Sequence, residues 1–505
     1  MSKSKGKTYD KRWWSLGVLC LSLLVVMIGN TSLNVALPSL SKALGATNTE
    51  LQWLVDAYSL IFAGFLFTAG AVGDRFGRKG IMQAGLVLFG LATAYAAFFA
   101  DTATSLIATR AVMGLGGAMI MPATLSILTN IFPGEERARA VAIWAGISGS
   151  GVALGPLLSG FLLEHYSWHS VFLINIPVII LALIAGHFLI PKTVDPEHTH
   201  LDPIGAGLSV VGLVAIVYAL IEAPSHGWLS AETLSVGGLG LLITALFIVW
   251  ELRKEKPMLD VRLFKIPAFG VSALALTMVF FALMGMFFNM SQLMQFVLGY
   301  SPLESAIRML PVAVTMMIVA PQSPKLVEKF GKRIVVGSGM LIVALGTFLL
   351  ATVTADSGYV LVAISMSIVA FGMAIAMSPT TDLLMSAVPK ERAGMGSATN
   401  DTTRELGGSL GIAILGSILA SQYTETISSK LPAVTPDKIR EVVEQSLAGA
   451  LAVGEKIGGP QGAALIDSAK DAWMAGYHNS LVAGGVIIAL ASIIAFRFLP
   501  NQAEN

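Results

Sequence analysis

The sequence is short of charge and nearly without cysteine. Only 12% of its 505 residues are charged, and Cys20 is the single cysteine, set inside an apolar run. Soluble globular chains carry about 25% charged residues, so this one has roughly half the usual solvating surface. That shortfall excludes the three or four soluble domains suggested by a length rule of about 150 residues each. It also excludes a disordered or collagen-like chain, and with a net charge of +1 it excludes a nucleic-acid-binding one. One cysteine excludes a disulfide scaffold and any cysteine-built metal site. A GxxxxGK phosphate loop is missing, which argues against ATP as an energy source. No enzyme cluster stands out either: HExxH is absent, and His165 and His169 lie four apart without a third ligand.

What the chain has instead is apolar sequence, 55% of the total, with a mean hydropathy of +0.75. Stretches of about 20 apolar residues, the length of a membrane span, predict helices over 14–37, 51–72, 80–100, 104–130, 138–163, 169–190 and 203–222. Seven more follow over 232–252, 268–297, 303–324, 334–354, 358–388, 396–421 and 474–498. The fold class is therefore all-α, a polytopic membrane protein of fourteen helices. The spans are too long and too evenly apolar for β-barrel strands.

Lysine and arginine orient the spans. They gather in the N-terminal tail (Lys3, Lys5, Lys7, Lys11, Arg12) and at every second junction: Arg75, Arg78 and Lys79; Arg137 and Arg139; Lys192; Arg253, Lys254, Lys256, Arg262 and Lys265; Lys325, Lys329, Lys332 and Arg333; Lys390 and Arg392. The alternate short loops contain only Lys42. This alternation predicts that both termini are cytoplasmic. The long loop 422–473 is charged and external, which long segments tolerate. The first span is too long for a signal-peptide core and is read as retained.

The chain also repeats itself at an offset of about 254–256 residues. Asp74-Arg75-Phe76-Gly77-Arg78-Lys79 returns as Glu328-Lys329-Phe330-Gly331-Lys332-Arg333, Ala118-Met119-Ile120-Met121-Pro122 as Ala374-Ile375-Ala376-Met377-Ser378-Pro379, and Glu136-Arg137-Ala138 as Glu391-Arg392-Ala393. Two six-helix halves, 1–190 and 267–505, thus flank an inserted helix pair within 191–266. Repeated halves around a midplane site are the plan of alternating-access transporters.

These residues carry a family resemblance. Gly73-Asp74-Arg75-Phe76-Gly77-Arg78-Lys79 resembles the loop signature of the major facilitator superfamily, and Arg110 with Gly114, Gly116 and Gly117 resembles its second motif. Gly151-Val152-Ala153-Leu154-Gly155-Pro156 resembles the helix motif of its antiporters. Leu33 to Pro38 (LNVALP), Trp168 to Pro177 (WHSVFLINIP) and fourteen spans resemble the drug:proton antiporter branch. Leu259 to Phe264 (LDVRLF) and the loop before the last span look most like Qac-type exporters of quaternary ammonium antiseptics. The resemblance implies a bacterial plasma-membrane exporter driven by the proton gradient, without a cofactor, in which Arg110 assists proton transfer. One position departs. The family places an acidic residue in the first helix where this chain reads Gly29-Asn30-Thr31-Ser32-Leu33-Asn34, and Asn30 can neither release a proton nor balance a cation.

Ionisable groups at membrane depth cost about 2.5–3.5 kcal/mol on insertion scales, so each is a functional candidate. Asp56 is either a proton site or an interfacial carboxylate near its helix start. Asp401, Arg404 and Glu405 share a helix face. One guanidinium cannot neutralise two carboxylates, so the group either exchanges a proton or forms a structural salt bridge. Arg110, inside apolar sequence, needs a partner, functional or structural. Asp382 reads as interfacial. Gly73, Asp74, Arg75, Gly77 and Arg78 read as a conformational latch or as plain positive-inside charge. Gly146, Gly151, Gly155 and Gly160 give the fifth helix a small face for close packing, with Pro156 as a kink. Candidate substrate contacts are Asn30, Asn34, Asp56, Met286, Met290 and Phe287, although Met and Phe at membrane depth also serve as ordinary packing. The loop 422–473 carries Ile439, Val442, Val443, Leu447 and Leu451 at helical spacing and predicts amphipathic helices that gate an exit or simply pack.

The leading expectation is proton-driven export of hydrophobic or cationic small molecules by a bilayer-embedded monomer, with no nucleic-acid partner. Export of a lipid, peptide or neutral metabolite is the alternative on the same fold, favoured by Asn30. A membrane-embedded enzyme or a channel is the disfavoured class.

Overall fold

The computed structural model describes residues 11–192, 201–255, 257–389, 393–432 and 434–500. Lys3, Lys5, Lys7, Lys256, Lys390, Glu391 and Arg392 lie outside them. Among the described residues the structure is helical throughout, without strands. Fourteen helices are long and apolar enough to cross a membrane: α1 Arg12–Leu44, α2 Asn48–Phe76, α3 Arg78–Phe98, α4 Ala103–Ile131, α5 Arg139–His165, α6 Ser170–Leu189, α7 Pro203–His226, α8 Ala231–Arg253, α9 Pro267–Val297, α10 Pro302–Phe330, α11 Lys332–Leu350, α12 Tyr359–Ser386, α13 Met395–Lys430 and α14 Gly459–Phe498.

Local chemistry sets the boundaries. α1 stops at Gly45, which takes the left-handed φ of 65° that glycine reaches without strain. Thr47 then opens α2 with a reciprocal cap, its hydroxyl accepting from the Glu50 N–H while the Glu50 carboxylate accepts from the Thr47 N–H. Several helices run past the membrane-length stretches of the sequence. α13 continues to Lys430 and α14 begins at Gly459, so the expected loop 422–473 shrinks to a link containing helices Asp437–Gln445 and Leu447–Ile457. Polar residues dilute the hydropathy of these extensions, but their inner face is apolar: Tyr423, Ile427, Ala469, Ala472 and Trp473 are buried. The link packs back on them. Val443 and Leu447 are buried, and the Tyr423 hydroxyl donates to the Val443 carbonyl (2.7 Å).

The sequence repeat is a packing repeat. Within the first half α1 packs on α5 and α6, α2 on α4, and α3 on α4 and α6; within the second half α9 packs on α13 and α14, α10 on α12, and α11 on α12 and α14. Equivalent glycines make equivalent crossings. A Cβ on Gly85 of α3 would lie 2.8 Å from the Gly116 carbonyl oxygen of α4, and one on Gly339 of α11 would lie 2.7 Å from that of Gly372 of α12. Helices this close bring backbone to backbone, the packing that membrane helices use where hydrophobicity cannot drive association. The last cation of each loop copy also has the same job. Lys79 donates to the His187 carbonyl at the end of α6, and Arg333 to the Phe496 carbonyl at the end of α14. Both place positive charge on a helix C-terminus.

The inserted helices α7 and α8 pack on one another, and α7 lies against both α2 and α13. Leu60, Val217, Ile221 and Ala413 form a shared apolar cluster there. Trp53 of α2 donates to Glu222 of α7 (2.9 Å), and Ser417 of α13 donates to the Leu220 carbonyl (2.8 Å). The base of the pair is tied by Asp202, which receives the Gly205 N–H (3.0 Å), the Trp250 indole (3.1 Å) and Lys254 (3.0 Å).

The halves meet along two related seams, α5 with α10 and α2 with α13. The first is made at the lysine-poor end, where Gly160 abuts Pro302, Leu303 and Ala306. At the same end Gln295 donates to the Val35 carbonyl (3.0 Å) and Lys42 sits 5.6 Å from the Phe296 ring centre. Gly146, nearer the basic loops on α5, has open space around it. The α5 glycines therefore differ in duty. Gly85→Ala is expected to lower thermal stability in detergent by about 1–3 kcal/mol through overpacking. Gly146→Ala is expected to leave it unchanged or raise it by up to about 1 kcal/mol through helix propensity.

Candidate functional site

Residues with charge at membrane depth converge on the α2–α13 seam. Arg110 of α4 is fully buried. Gly114, one turn on, lies against the Tyr58 backbone, and the missing side chain lets α4 come close enough for Arg110 to reach its neighbours. Its Nε donates to the Leu54 carbonyl of α2 (3.0 Å), its Nη1 donates to the Gly29 carbonyl of α1 (2.8 Å), and its guanidinium lies 4.4 Å from the Tyr58 ring centre. Nη2 has no partner among the described residues. Asp56 is fully buried on α2, away from any interface with water, and neither carboxylate oxygen has a hydrogen-bond partner there. It faces Ser409 and Glu405 of α13. Glu405 is half-buried and faces Ser59 of α2 as well as Arg110. Ser409 belongs to Gly407-Gly408-Ser409-Leu410-Gly411, a match to the G-x-S-x-G of hydrolase nucleophiles. Here it is uninterrupted helix without the strand–turn–helix elbow that exposes such a serine.

Asp401 and Arg404 do not form the structural salt bridge that the sequence left open as an alternative. Asp401 accepts from the Asn400 amide (3.2 Å), while Arg404 reaches across to the Thr381 hydroxyl of α12 (3.5 Å) and lies 5.3 Å from the Phe280 ring centre of α9. Positions three apart are neighbours on a helix, yet the guanidinium lies instead toward the Thr381 hydroxyl and the aromatic face. The Arg404 Nε is left buried without a partner. Three carboxylates, Asp56, Asp401 and Glu405, thus share this region with two guanidiniums, Arg110 and Arg404. One negative charge stays uncompensated by protein when all five groups are ionised, and a proton or a cation can neutralise it.

The loop after α2 forms a local clasp. Asp74 receives Arg78 (2.6 Å) and, from α4, the Ser126 hydroxyl (3.4 Å). Gly77, between the helices, has φ 121°, and Gly73 makes room for Ile81. Arg75 lies over the neighbouring Phe76 ring. In the second copy the carboxylate comes from elsewhere: Lys332, equivalent to Arg78, pairs with the exposed Asp382 of α12, so that residue is interfacial and also ion-paired.

A separate cavity of about 70 Å³ lies between α1, α5, α9 and α10. Its walls are Thr31, Asn34, Val35, Ala153, Pro156, Leu283, Met284, Phe287, Ala306, Met309, Leu310, Val312, Ala313 and Met316. Beside it Gly151 and Gly155 let α5 close on α1, with Met27 and Thr31 in the space their missing side chains leave. Of the sequence candidates, Asn34, Phe287 and Pro156 line it. Met286 and Met290 do not; they are buried in the core of the second half. Asn30 is half-buried and Asp56 belongs to the other seam. Met284, Met309 and Met316 supply the flexible wall that the regular spacing of Met286 and Met290 suggested, because helix rotation, not spacing alone, decides which methionine faces the space.

Replacing Arg110 by Lys keeps the charge but offers one nitrogen in place of a fork that spans two carbonyls. The variant is expected to lose one charged hydrogen bond, about 1.5–3 kcal/mol, read as a lower melting temperature. Thr129→Val, which removes only a hydroxyl bonded within its own helix (to the Ser126 carbonyl), serves as the neutral control.

Comparison with known proteins agrees with this geometry. The family model described as Major Facilitator Superfamily matches residues 19–412. The chain is 34% identical to the multidrug efflux pump LfrA of Mycolicibacterium smegmatis over 98% of both chains. It is 35% identical to the methyl viologen resistance protein SmvA of Salmonella typhimurium, covering 96% of this chain and 97% of that one. Among solved structures it shares its fold with a bacterial homologue of the human lysosomal transporter Spinster, in an inward-facing conformation (TM-score 0.66, 19% identity, 98% and 97% covered). Fourteen spans, a duplicated six-helix unit, a family model over most of the length and full-length relatives in drug efflux lead to one conclusion: the chain is a membrane transporter belonging to the major facilitator superfamily.

Proposed function

We propose that the protein exports hydrophobic, often cationic, small molecules from the bacterial cytoplasm in exchange for protons. It works by alternating access between the halves 1–190 and 267–505, with 191–266 as a buttress and both termini in the cytoplasm. The observation that carries this reading is the α2–α13 charge cluster, three carboxylates against two guanidiniums, with Asp56 and Arg110 fully buried and Asp401, Arg404 and Glu405 half-buried. A charge so placed is costly to keep uncompensated, and uptake of one proton relieves it. Relatives named for multidrug efflux and methyl viologen resistance support the substrate class.

The contacts between halves at the lysine-poor end, Gly160 with α10 and Gln295 with Val35, support a transporter closed on the face proposed as external. The cavity is smaller than the roughly 300–1,000 Å³ of drug-sized sites, so its walls separate when a substrate enters. The Asp74–Arg78–Ser126 clasp lies within one half and leaves the halves free to part on the cytoplasmic side. Export of a neutral lipid, peptide or metabolite is a second reading, favoured by Asn30 in place of the family's acid.

Inverted vesicles with an acidified lumen separate the two readings. A lipophilic cation is expected to release luminal protons, seen as recovery of quinacrine fluorescence, while neutral lipids and amino acids release none. Combining Asp401→Asn with Glu405→Gln is expected to cut the response at least about tenfold, the equivalent of about 1.4 kcal/mol. No proton movement with cations, or full activity in the double variant, would contradict the proposal.

A further inference from the structure

Two carboxyl groups outside the α2–α13 seam also meet in buried surroundings, where α7 begins and α8 ends. Asp202 is 7% exposed and Glu251 1%. A Cβ on Gly205 would lie 2.7 Å from Asp202 Oδ2 and 2.6 Å from Glu251 Oε1, so the missing side chain admits both oxygens to one space. Within it the two carboxyls are hydrogen-bonding neighbours.

The other oxygens of the pair are already occupied. Asp202 Oδ1 receives the Gly205 N–H (3.0 Å) and the Lys254 ammonium (3.0 Å), and the Trp250 indole N–H lies between the two Asp202 oxygens (3.2 and 3.1 Å). Glu251 Oε2 receives the Leu259 N–H (2.9 Å). Glu251 Oε1 is buried and has no donor among the described residues. Two facing carboxyl oxygens satisfy one another only when one carries hydrogen, because an ionised carboxylate accepts and a protonated one donates.

Charge adds a second demand. Lys254 balances one carboxylate. α7 brings no further charge before Glu222, at its far end. Arg253 and Glu255 are exposed, Arg262 turns its guanidinium to the Leu252 carbonyl (2.7 Å), and Asp260 accepts the Arg262 N–H (3.2 Å). The second buried carboxylate is therefore costly while ionised, and one proton removes the cost. Asp202, which already receives an ammonium and two N–H groups, keeps its charge, so the proton belongs on Glu251.

The pair also holds the segment that leads from α8 to α9. Leu259 is bound to Glu251, and its two neighbours touch the two halves. Met258 Sδ accepts from the Thr68 hydroxyl of α2 (3.8 Å), and the Asp260 N–H donates to Met395 Sδ of α13 (3.4 Å). The segment thus spans the α2–α13 seam at its lysine-rich end.

We infer that Asp202 and Glu251 form a second proton-binding site, separate from the α2–α13 carboxylates, in which a proton on Glu251 Oε1 is donated to Asp202 Oδ2 and its presence fixes the segment 257–260 across the two halves. Loss of the proton sets two like charges against one ammonium, draws water to the pair and frees the segment. Proton concentration on the lysine-rich side then governs how readily the halves part there.

Two measurements on the full-length protein in nanodiscs test the site without substrate or gradient. In difference infrared spectra between acid and alkaline buffer, the triple variant Asp56→Asn, Asp401→Asn, Glu405→Gln is expected to retain a titrating carboxyl component that disappears when Glu251→Gln is added. Asp202→Asn, whose amide can donate to an ionised Glu251, is expected to remove the same component. Hydrogen exchange reads the segment. Glu251→Gln places an amide donor where the proton sits, so the Leu259 and Asp260 amides are expected to exchange alike in wild type and Glu251→Gln in acid. In alkali the wild type is expected to exchange about tenfold faster than Glu251→Gln, as for one lost hydrogen bond. Identical spectra with and without Glu251→Gln, or wild-type amides as protected in alkali as those of Glu251→Gln, would overturn the inference.

Discussion

Arg110 is the constraint around which the first half is arranged. A guanidinium in apolar surroundings must be hydrogen-bonded or lose several kcal/mol, of order the burial cost of an unpaired charge. The protein meets the demand with backbone: the carbonyls of Gly29 on α1 and Leu54 on α2 hold it, and the Tyr58 ring covers it. Three helices are thereby fixed to one another at a single point. Gly114 and Gly117, which press against Tyr58 and Phe62, are the steric condition for it. The same clamp sets Arg110 opposite Glu405 of the other half, so the chemistry of the α2–α13 seam begins with a packing requirement.

Around that point the duplicated architecture supplies two similar seams, and selection of side chains has given them different work. Glycines at a constant offset preserve the close approach of α5 to α1 and of α13 to α9. Charge is retained on only one side. The charged seam also gives the inserted pair a physical role: α7 covers the α2–α13 seam with Val217 and Ile221, and the Ser417–Leu220 and Trp53–Glu222 hydrogen bonds fasten it to both halves.

Much of this was legible in the sequence because a membrane makes its rules visible. Apolar runs gave the fourteen helices, and an ionisable residue inside such a run, Asp56, Arg110 or Glu405, stands out without any structure. The repeat was legible in the loops, where charge and glycine are sparse enough to match by eye. It was missed in Gly407, Gly411 and Gly416, although the same offset applied to the α5 glycines points to them. Side-chain direction was not legible. Met286 and Met290 share a face that turns into the core, while Met284 and Met316 turn to the cavity, a matter of helix rotation set by distant contacts. Arg404 turning to Thr381 and Phe280 was hidden for the same reason, since neither partner is near it in sequence. The extension of α13 and α14 beyond their apolar stretches was hidden by polar residues that lower the local hydropathy without breaking the helix.

On the proposed reading the α2–α13 seam holds one negative charge more than its guanidiniums compensate, and a proton comes and goes there. Difference infrared spectroscopy of the purified protein between acid and alkaline buffer reads this directly through the stretching band of a protonated carboxyl group. Such a band is expected in acid and gone in alkali, and it is weakened when Asp56, Asp401 and Glu405 are replaced together by Asn, Asn and Gln. A wild-type spectrum without a titrating carboxyl band, or a triple replacement that leaves the band undiminished, would contradict this.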